Sequence, residues 1–200
     1  HNQSRRQRQM CIRDRGWKNL FNPDNGFIQP RYGAAWREGF DPTEVTFEYT
    51  EANGWQYNFF VPHDVSGHMD LLGGPEGYAE MLDEMFSGSS RMSGRHQSDI
   101  TGLIGQYAHG NEPSHHMAYL PSYAGYPERT QALVDSICDE LYTAEPDGLS
   151  GNEDCGQMSS WYVWSALGLY PVTPGSDVYV LGTPRFDAAA WSLPNGSVLE

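Results

Sequence analysis

Gly151-Asn152-Glu153-Asp154-Cys155-Gly156-Gln157-Met158-Ser159-Ser160-Trp161-Tyr162-Val163-Trp164 sets two acids and two amides in a Gly-bounded loop and then runs straight into an apolar helix. Such a loop holds carboxylates at a helix N-terminus, where the backbone dipole and free N–H groups favour negative charge. The pattern predicts a buried helix over Cys155–Leu169, stopped by Pro171-Val172-Thr173-Pro174-Gly175. Two more stretches have the same character: His109-Gly110-Asn111-Glu112-Pro113-Ser114-His115-His116 and Tyr49-Thr50-Glu51-Ala52-Asn53-Gly54-Trp55-Gln56-Tyr57. Each combines a carboxylate, an amide and nearby aromatics.

Working outward, the middle of the chain reads as helical. Pro75-Glu76-Gly77 opens a helix whose Tyr78, Met81, Leu82, Met85 and Phe86 fall on one face, and Gly88 ends it. Leu103, Ile104 and Tyr107 predict a second helix, and His116–Leu120 a shorter third. Pro127-Glu128 opens a fourth, with Thr130, Leu133, Val134, Ile137 and Leu141 aligned. Before them, Asn19–Phe21 and Phe27–Pro30 flank the turn residues Asn22-Pro23-Asp24-Asn25-Gly26 like a hairpin, and Pro42–Tyr49 reads as extended. After them, Val178–Gly182 and Ser197–Leu199 read as strands. The expected fold is mainly α, an α/α toroid or helical array over residues 16–175, with a sheet region beginning at residues 176–200. The run of elements reads as a piece of a larger protein.

The first fifteen residues differ from the rest. They hold five of the twelve Lys and Arg and one of the twenty-six acids, leaving 7 bases and 25 acids beyond them. Without a helical or strand period, residues 1–15 read as a non-native or disordered basic tail. The formal charge of −14 excludes a nucleic-acid partner, which as a polyanion would be repelled. It suits a neutral substrate or a divalent cation. No run of 18 apolar residues is present to span a membrane. Cys11, Cys138 and Cys155 show no zinc-ligand spacing. The 6 Trp and 12 Tyr fit either an aromatic core or a surface that stacks on sugar rings.

Glycoside hydrolysis needs two carboxyl groups, one protonating the leaving oxygen and one activating water or attacking directly. Glu51, Asp64, Asp70, Glu112, Glu153 and Asp154 all lie close to aromatics or amides. Glu51, beside Thr50 and near Trp55, has a setting that keeps a carboxyl protonated by partial burial. Asp154, at the start of a helix, is either an ionised base or a plain N-cap. His63, Asp64, His115 and His116 are candidate sugar hydrogen-bonders or metal ligands. The Asn111-Glu112 pair offers oxygen donors of the kind a calcium ion takes, without EF-hand spacing.

Three segments carry a resemblance. Thr50-Glu51, Asn53, Trp55-Gln56-Tyr57 and Val61-Pro62-His63-Asp64 come first, then His109–His116, then the nearly unbroken Gly151–Val172. In this order they resemble glycoside hydrolase family 92, the calcium-dependent exo-α-mannosidases, and Lys18–Phe27 also fits. The resemblance implies a partial (α/α)6 toroid, truncated on its N-terminal side and missing a preceding β-sandwich domain of the same polypeptide. It implies hydrolysis of terminal α-mannosidic bonds in N-glycans or mannans, with inversion. Glu51 matches the general acid and Asp154 the general base. Asn111 and Glu112 match the calcium region, with Gln56 as a further ligand. Trp55, His63, Asp64, His115, His116 and Asn152 are the implied sugar contacts. Asn152 stands where some relatives carry a second carboxylate. A parent protein of this kind is periplasmic, cell-surface or secreted, and this segment alone is expected to be inactive. The competing readings are a non-catalytic, calcium-dependent glycan-binding module and a purely structural helical array.

Overall fold

A computed structural model describes residues 15–199 of the chain. The expected basic tail therefore lies outside the described residues, apart from Arg15. Six helices are used here as landmarks: α1 (Gly54–Asn58), α2 (Val65–Leu71), α3 (Gly74–Ser87), α4 (Leu120–Tyr123), α5 (Pro127–Leu141) and α6 (Gln157–Ala166). Between them lie short two-stranded sheets.

The two longest helices follow their sequence signals. Both α3 and α5 have a proline in the first turn, where the missing N–H has no intrahelical partner to lose. Each also has an acid there, Glu76 and Glu128, which complements the helix dipole. α3 buries Tyr78, Ala79, Leu82 and Met85, and α5 buries Thr130, Val134, Ile137 and Cys138. These faces meet in one core with Phe59, Tyr107, Tyr119 and Trp161. Tyr119 stacks on Tyr170 at 4.4 Å, and its hydroxyl shares a 2.6 Å hydrogen bond with Ser165. Most of the large aromatics thus serve the core.

Three expectations need correction. Leu103–Ile104 and Tyr107–Ala108 form an antiparallel hairpin, not a helix. Gly105 makes the turn at φ 59°, and a Cβ there would come 2.2 Å from the Met85 carbonyl oxygen. The hairpin tip therefore sits directly against the end of α3, an approach only glycine permits. The last helix is shorter than expected and only half buried. Asp154, Cys155 and Gly156 all have positive φ, which a right-handed helix cannot contain, so α6 begins at Gln157. Met158, Trp161, Ser165 and Ala166 face the core, whereas Val163 is 55% exposed. Finally, the stretch from His116 begins as a buried 3-10 turn, Met117–Tyr119, before α4.

The C-terminal segment returns to the core. Val180–Leu181 pairs antiparallel with Leu169–Tyr170, and Val180 is itself a core residue. Trp191–Ser192 pairs with Val198–Leu199. The hairpin expected near residue 25 is present, with Phe21–Asn22 against Phe27–Ile28. Cys138 is buried, Cys155 is exposed, and neither is in a disulfide. Among the described residues no helix is long and apolar enough to cross a membrane.

Candidate active site

The Glu51 loop is anchored on both sides. The Tyr49 hydroxyl donates to the Ile28 carbonyl at 2.7 Å, and the Thr50 N–H donates to the Tyr57 hydroxyl at 3.1 Å. Two residues later, Asn53 and Gln56 form a reciprocal capping box that starts α1. Glu51 itself is held at φ 57°, and the Asn111 side-chain amide donates to its carbonyl at 3.0 Å.

Two glycines let the other loops converge. A Cβ on Gly110 would fall 1.9 Å from Thr101 Oγ1 and 2.7 Å from the Ser150 carbonyl oxygen. A Cβ on Gly151 would fall 2.6 Å from the same hydroxyl and 3.0 Å from the Gly110 carbonyl oxygen. The backbone before Asn111 and the backbone before Asp154 are thus pressed together. That contact brings the second and third motif loops together, and the Asn111 amide ties the second to the first.

Glu153 and Asp154 divide two tasks. The Glu153 carboxylate accepts from the Gly156 and Ser159 N–H groups and so caps α6. Its hydrogen bonds, those with Ser159 foremost, hold it below the usual carboxylate range. Asp154 is therefore not the cap, and its carboxyl lies beside Glu112. Glu112 is pushed above the ordinary glutamate value, first by burial, then by Asp154 through charge and a side-chain hydrogen bond, and then by the charge of Glu51. The Glu112 carboxyl thus hydrogen-bonds Asp154 and feels the charge of Glu51.

Behind them runs a buried polar chain. Gln157 Nε2 lies 3.1 Å from His115 Nδ1, and His115 Nε2 donates to the His109 carbonyl at 3.0 Å. The His109 ring bridges the hydroxyls of Tyr107 at 2.8 Å and Tyr142 at 2.6 Å. Burial drives His109 down to about 2 and His115 and His116 down to about 4, so all three are neutral near pH 7.

The remaining expected contacts are placed differently. Trp55 is 7% exposed, with its ring edge-on to Phe27 at 4.8 Å in the core. His116 is buried and donates to the Phe59 carbonyl at 2.7 Å, and His115 faces Trp161 and His109. Asp64 caps α2 by accepting from the Gly67 N–H and pairs with Lys18 at 3.2 Å. His63 and Asn152 are exposed. Gln56 has both ends of its amide engaged, accepting from the Asn53 N–H and donating to the Gln106 carbonyl at 2.9 Å.

Beside Glu51 opens a cavity of about 110 Å³, walled by Tyr57, Phe60, Asn111 and Ser114 among others. Phe60, 48% exposed, reaches this cavity beside Tyr57, and sequence reading passed it over because it sits next to the buried Phe59. Ligand pockets usually start at about 300 Å³, so these residues supply part of a wall rather than a whole site. The donors around Glu112 suit a hard cation in kind: carboxylates, and an amide whose nitrogen is committed to Glu51 and whose oxygen is what it can offer. Among the described residues, however, no group of three or more His, Cys, Asp or Glu is arranged to hold a metal by itself.

A sequence model described as the glycosyl hydrolase family 92 catalytic domain matches residues 2–200. A family GH92 α-mannosidase from Bacteroides thetaiotaomicron superposes with a TM-score of 0.80 at 37% identity, over 92% of this chain and 24% of that one. A family GH92 inverting mannosidase from the same organism gives 0.78 at 36% identity, over 92% of this chain and 26% of its own. An uncharacterized secreted glycosidase of Arthroderma benhamiae is 31% identical over 208 residues, which are 91% of this chain and 24% of that protein. The chain spans about a quarter of the length of these relatives.

Proposed function

The chain belongs to glycosyl hydrolase family 92, and from that premise we propose that it carries the carboxylates of an inverting exo-α-mannosidase. The observation that supports this reading is the linkage of the three loops, Glu112 to Asp154 through their carboxyls and Asn111 to the Glu51 carbonyl. Glu51 protonates the leaving glycosidic oxygen. Asp154, released from capping by Glu153, takes a proton from the attacking water on the opposite face of the sugar. The substrate is a terminal α-mannoside of an N-glycan or mannan. Both Bacteroides relatives are described as mannosidases, one of them as inverting.

Asn111 and Glu112 would contribute oxygens to a calcium ion, and Gln56, its amide already committed, would not. When bound, calcium supplies a template and electrostatic stabilisation for the sugar hydroxyls. Glu112, crowded by two other carboxyls, gains most from a nearby cation. The helices form one part of an (α/α)6 toroid, completed by polypeptide equivalent to the remaining three quarters of the relatives. The small cavity supports that view, and this segment alone is inactive. The Arthroderma relative, described as secreted, supports a location outside the cytoplasm.

The test is hydrolysis of an α-linked mannose disaccharide by the full-length gene product, beside Glu51→Gln and Asp154→Asn. Each substitution removes about 10²–10⁴-fold of the rate on a natural linkage. Wild-type rates retained by both variants would sink the reading.

A further inference from the structure

Gln106 ties the two halves of the site together. It sits at the tip of the Leu103–Ala108 hairpin and is 3% exposed. Its Oε1 accepts from Asn53 Nδ2 at 2.8 Å. Its backbone carbonyl accepts from Gln56 Nε2 at 2.9 Å. Its Nε2 donates to the carbonyls of Ser89 and Arg91, the second at 3.0 Å, and its backbone N–H donates to the Met85 carbonyl at 2.8 Å. One residue thus joins the end of α3, the segment that follows it and the capping box that begins two residues after Glu51.

The hairpin's second strand leads directly to His109 and Asn111. There Asn111 returns to the Glu51 carbonyl. The result is a closed ring: Glu51 through Asn53 to Gln106, along the strand to Asn111, and back to Glu51. Its amides are all but buried, at 0% for Asn53, 4% for Gln56, 3% for Gln106 and 5% for Asn111. A buried amide is held in place because losing its partner leaves a desolvated polar group, so the ring is stiff. Glu51, at φ 57°, is the one residue in it whose backbone strains against its own preference.

We propose that Gln106 is a positioning residue: through Asn53 it holds the Glu51 peptide in its left-handed conformation and aims the carboxyl at the leaving oxygen. The proposal rests on Glu51 as the acid. A shift of about 1 Å at a reacting group can cost on the order of 100-fold in rate. A carboxyl that donates a proton is most sensitive where the leaving group needs that proton.

The cleanest variant is Asn53→Ser. Serine keeps an oxygen for the N-cap of α1 and loses the donor to Gln106. Gln106→Met, which keeps the shape, removes the other side of the bond. Both are made in the full-length gene product and compared with Glu51→Gln. Two readouts are taken: amide exchange of the peptide spanning Thr50–Asn53, and kcat on an alkyl and a dinitrophenyl α-mannoside. Expected in both variants are faster exchange at Thr50–Asn53 and a roughly 10- to 100-fold loss on the alkyl substrate. The loss on the dinitrophenyl substrate should stay within about threefold, the same ordering as Glu51→Gln. Unchanged exchange at Thr50–Asn53 in Asn53→Ser overturns the proposal, and so does an equal loss on both substrates in a folded variant. Exchange decides the ring without reference to activity. An unmodified enzyme that leaves α-mannosides intact would instead fail the functional reading.

Discussion

Glu51 and Asp154 share one unusual backbone conformation, at φ 57° and 54°. With Cys155 they are the non-glycine residues of positive φ among the described residues. A side chain in this region costs on the order of 1–2 kcal/mol per residue. The strain falls on the two carboxylates assigned to the chemistry, and their surroundings maintain it. Asn111 and Tyr57 hold the first loop, and the Glu153 cap holds the second.

Relief of that strain should separate stability from activity. Asp154→Gly removes a side chain from a backbone that glycine tolerates, and it also removes a carboxyl from beside Glu112. Thermal melting should rise by a few degrees, as expected from about 1 kcal/mol in a domain of this size. Hydrolysis should vanish. A variant that melts lower than the unmodified protein would show that the Asp154 side chain contributes contacts beyond its carboxyl.

Glu112 binds its proton more tightly in the folded protein than in the unfolded chain. Its contribution to stability is therefore complete below the ordinary carboxyl range and declines as pH rises through the raised value. Glu112→Gln should melt higher than the unmodified protein at pH 7 and equal to it near pH 4. Calcium added at pH 7 should raise the melting temperature of the unmodified protein more than that of the variant. Equal responses to calcium would remove Glu112 from the ligand set.

What was legible in the sequence follows from what each pattern encodes. α3 and α5 were legible because their apolar faces repeat over four turns between a proline and a helix end. The Leu103–Ala108 hairpin was not, since apolar residues at 103, 104 and 107 fit a helix face as well as a turn, and the approach of Met85 to Gly105 is a tertiary fact. The three site loops could be listed, but not the contacts between them. Sequence leaves Asp154 as either a base or an N-cap, and only the fold shows that Glu153 is the carboxylate facing the helix end. Trp55 and the His115-His116 pair are sugar contacts by the resemblance, yet they pack inward, buried in the core.

His68 offers a pH test within the aromatic core. It is fully buried among Trp17, Phe21, Phe59 and Tyr78, and neither ring nitrogen has a hydrogen-bond partner. Burial lowers it to about 4 from 6.5, against a small opposing pull from Asp64. Such a lowered histidine favours the folded state fully above pH 6.5 and loses that contribution as pH falls towards 4. The loss is about 3 kcal/mol at the acid end, an order-of-magnitude figure. His68→Phe should flatten the fall in unfolding free energy between pH 6.5 and 4, measured by urea denaturation. An unchanged slope would mean that His68 gains a proton acceptor or water on acidification.

The stereochemical outcome depends most directly on the division of labour between Glu51 and Asp154. If Glu51 donates to the leaving oxygen while Asp154 activates a water on the opposite face, a single displacement turns the α-mannoside into β-mannose. Glu51→Gln should then slow substrates with poor leaving groups most, because they depend on the proton. Asp154→Asn should slow good and poor leaving groups alike, because water attack is unassisted in both. Glu153, engaged by the Gly156 and Ser159 N–H groups, is not free to replace Asp154, so the asparagine variant should retain no compensating base from its neighbour. Proton NMR of the first-formed sugar decides the matter before mutarotation sets in. Initial β-mannose fits the single displacement, whereas initial α-mannose would make one of the carboxylates a nucleophile and overturn the assignment of Asp154 as a base.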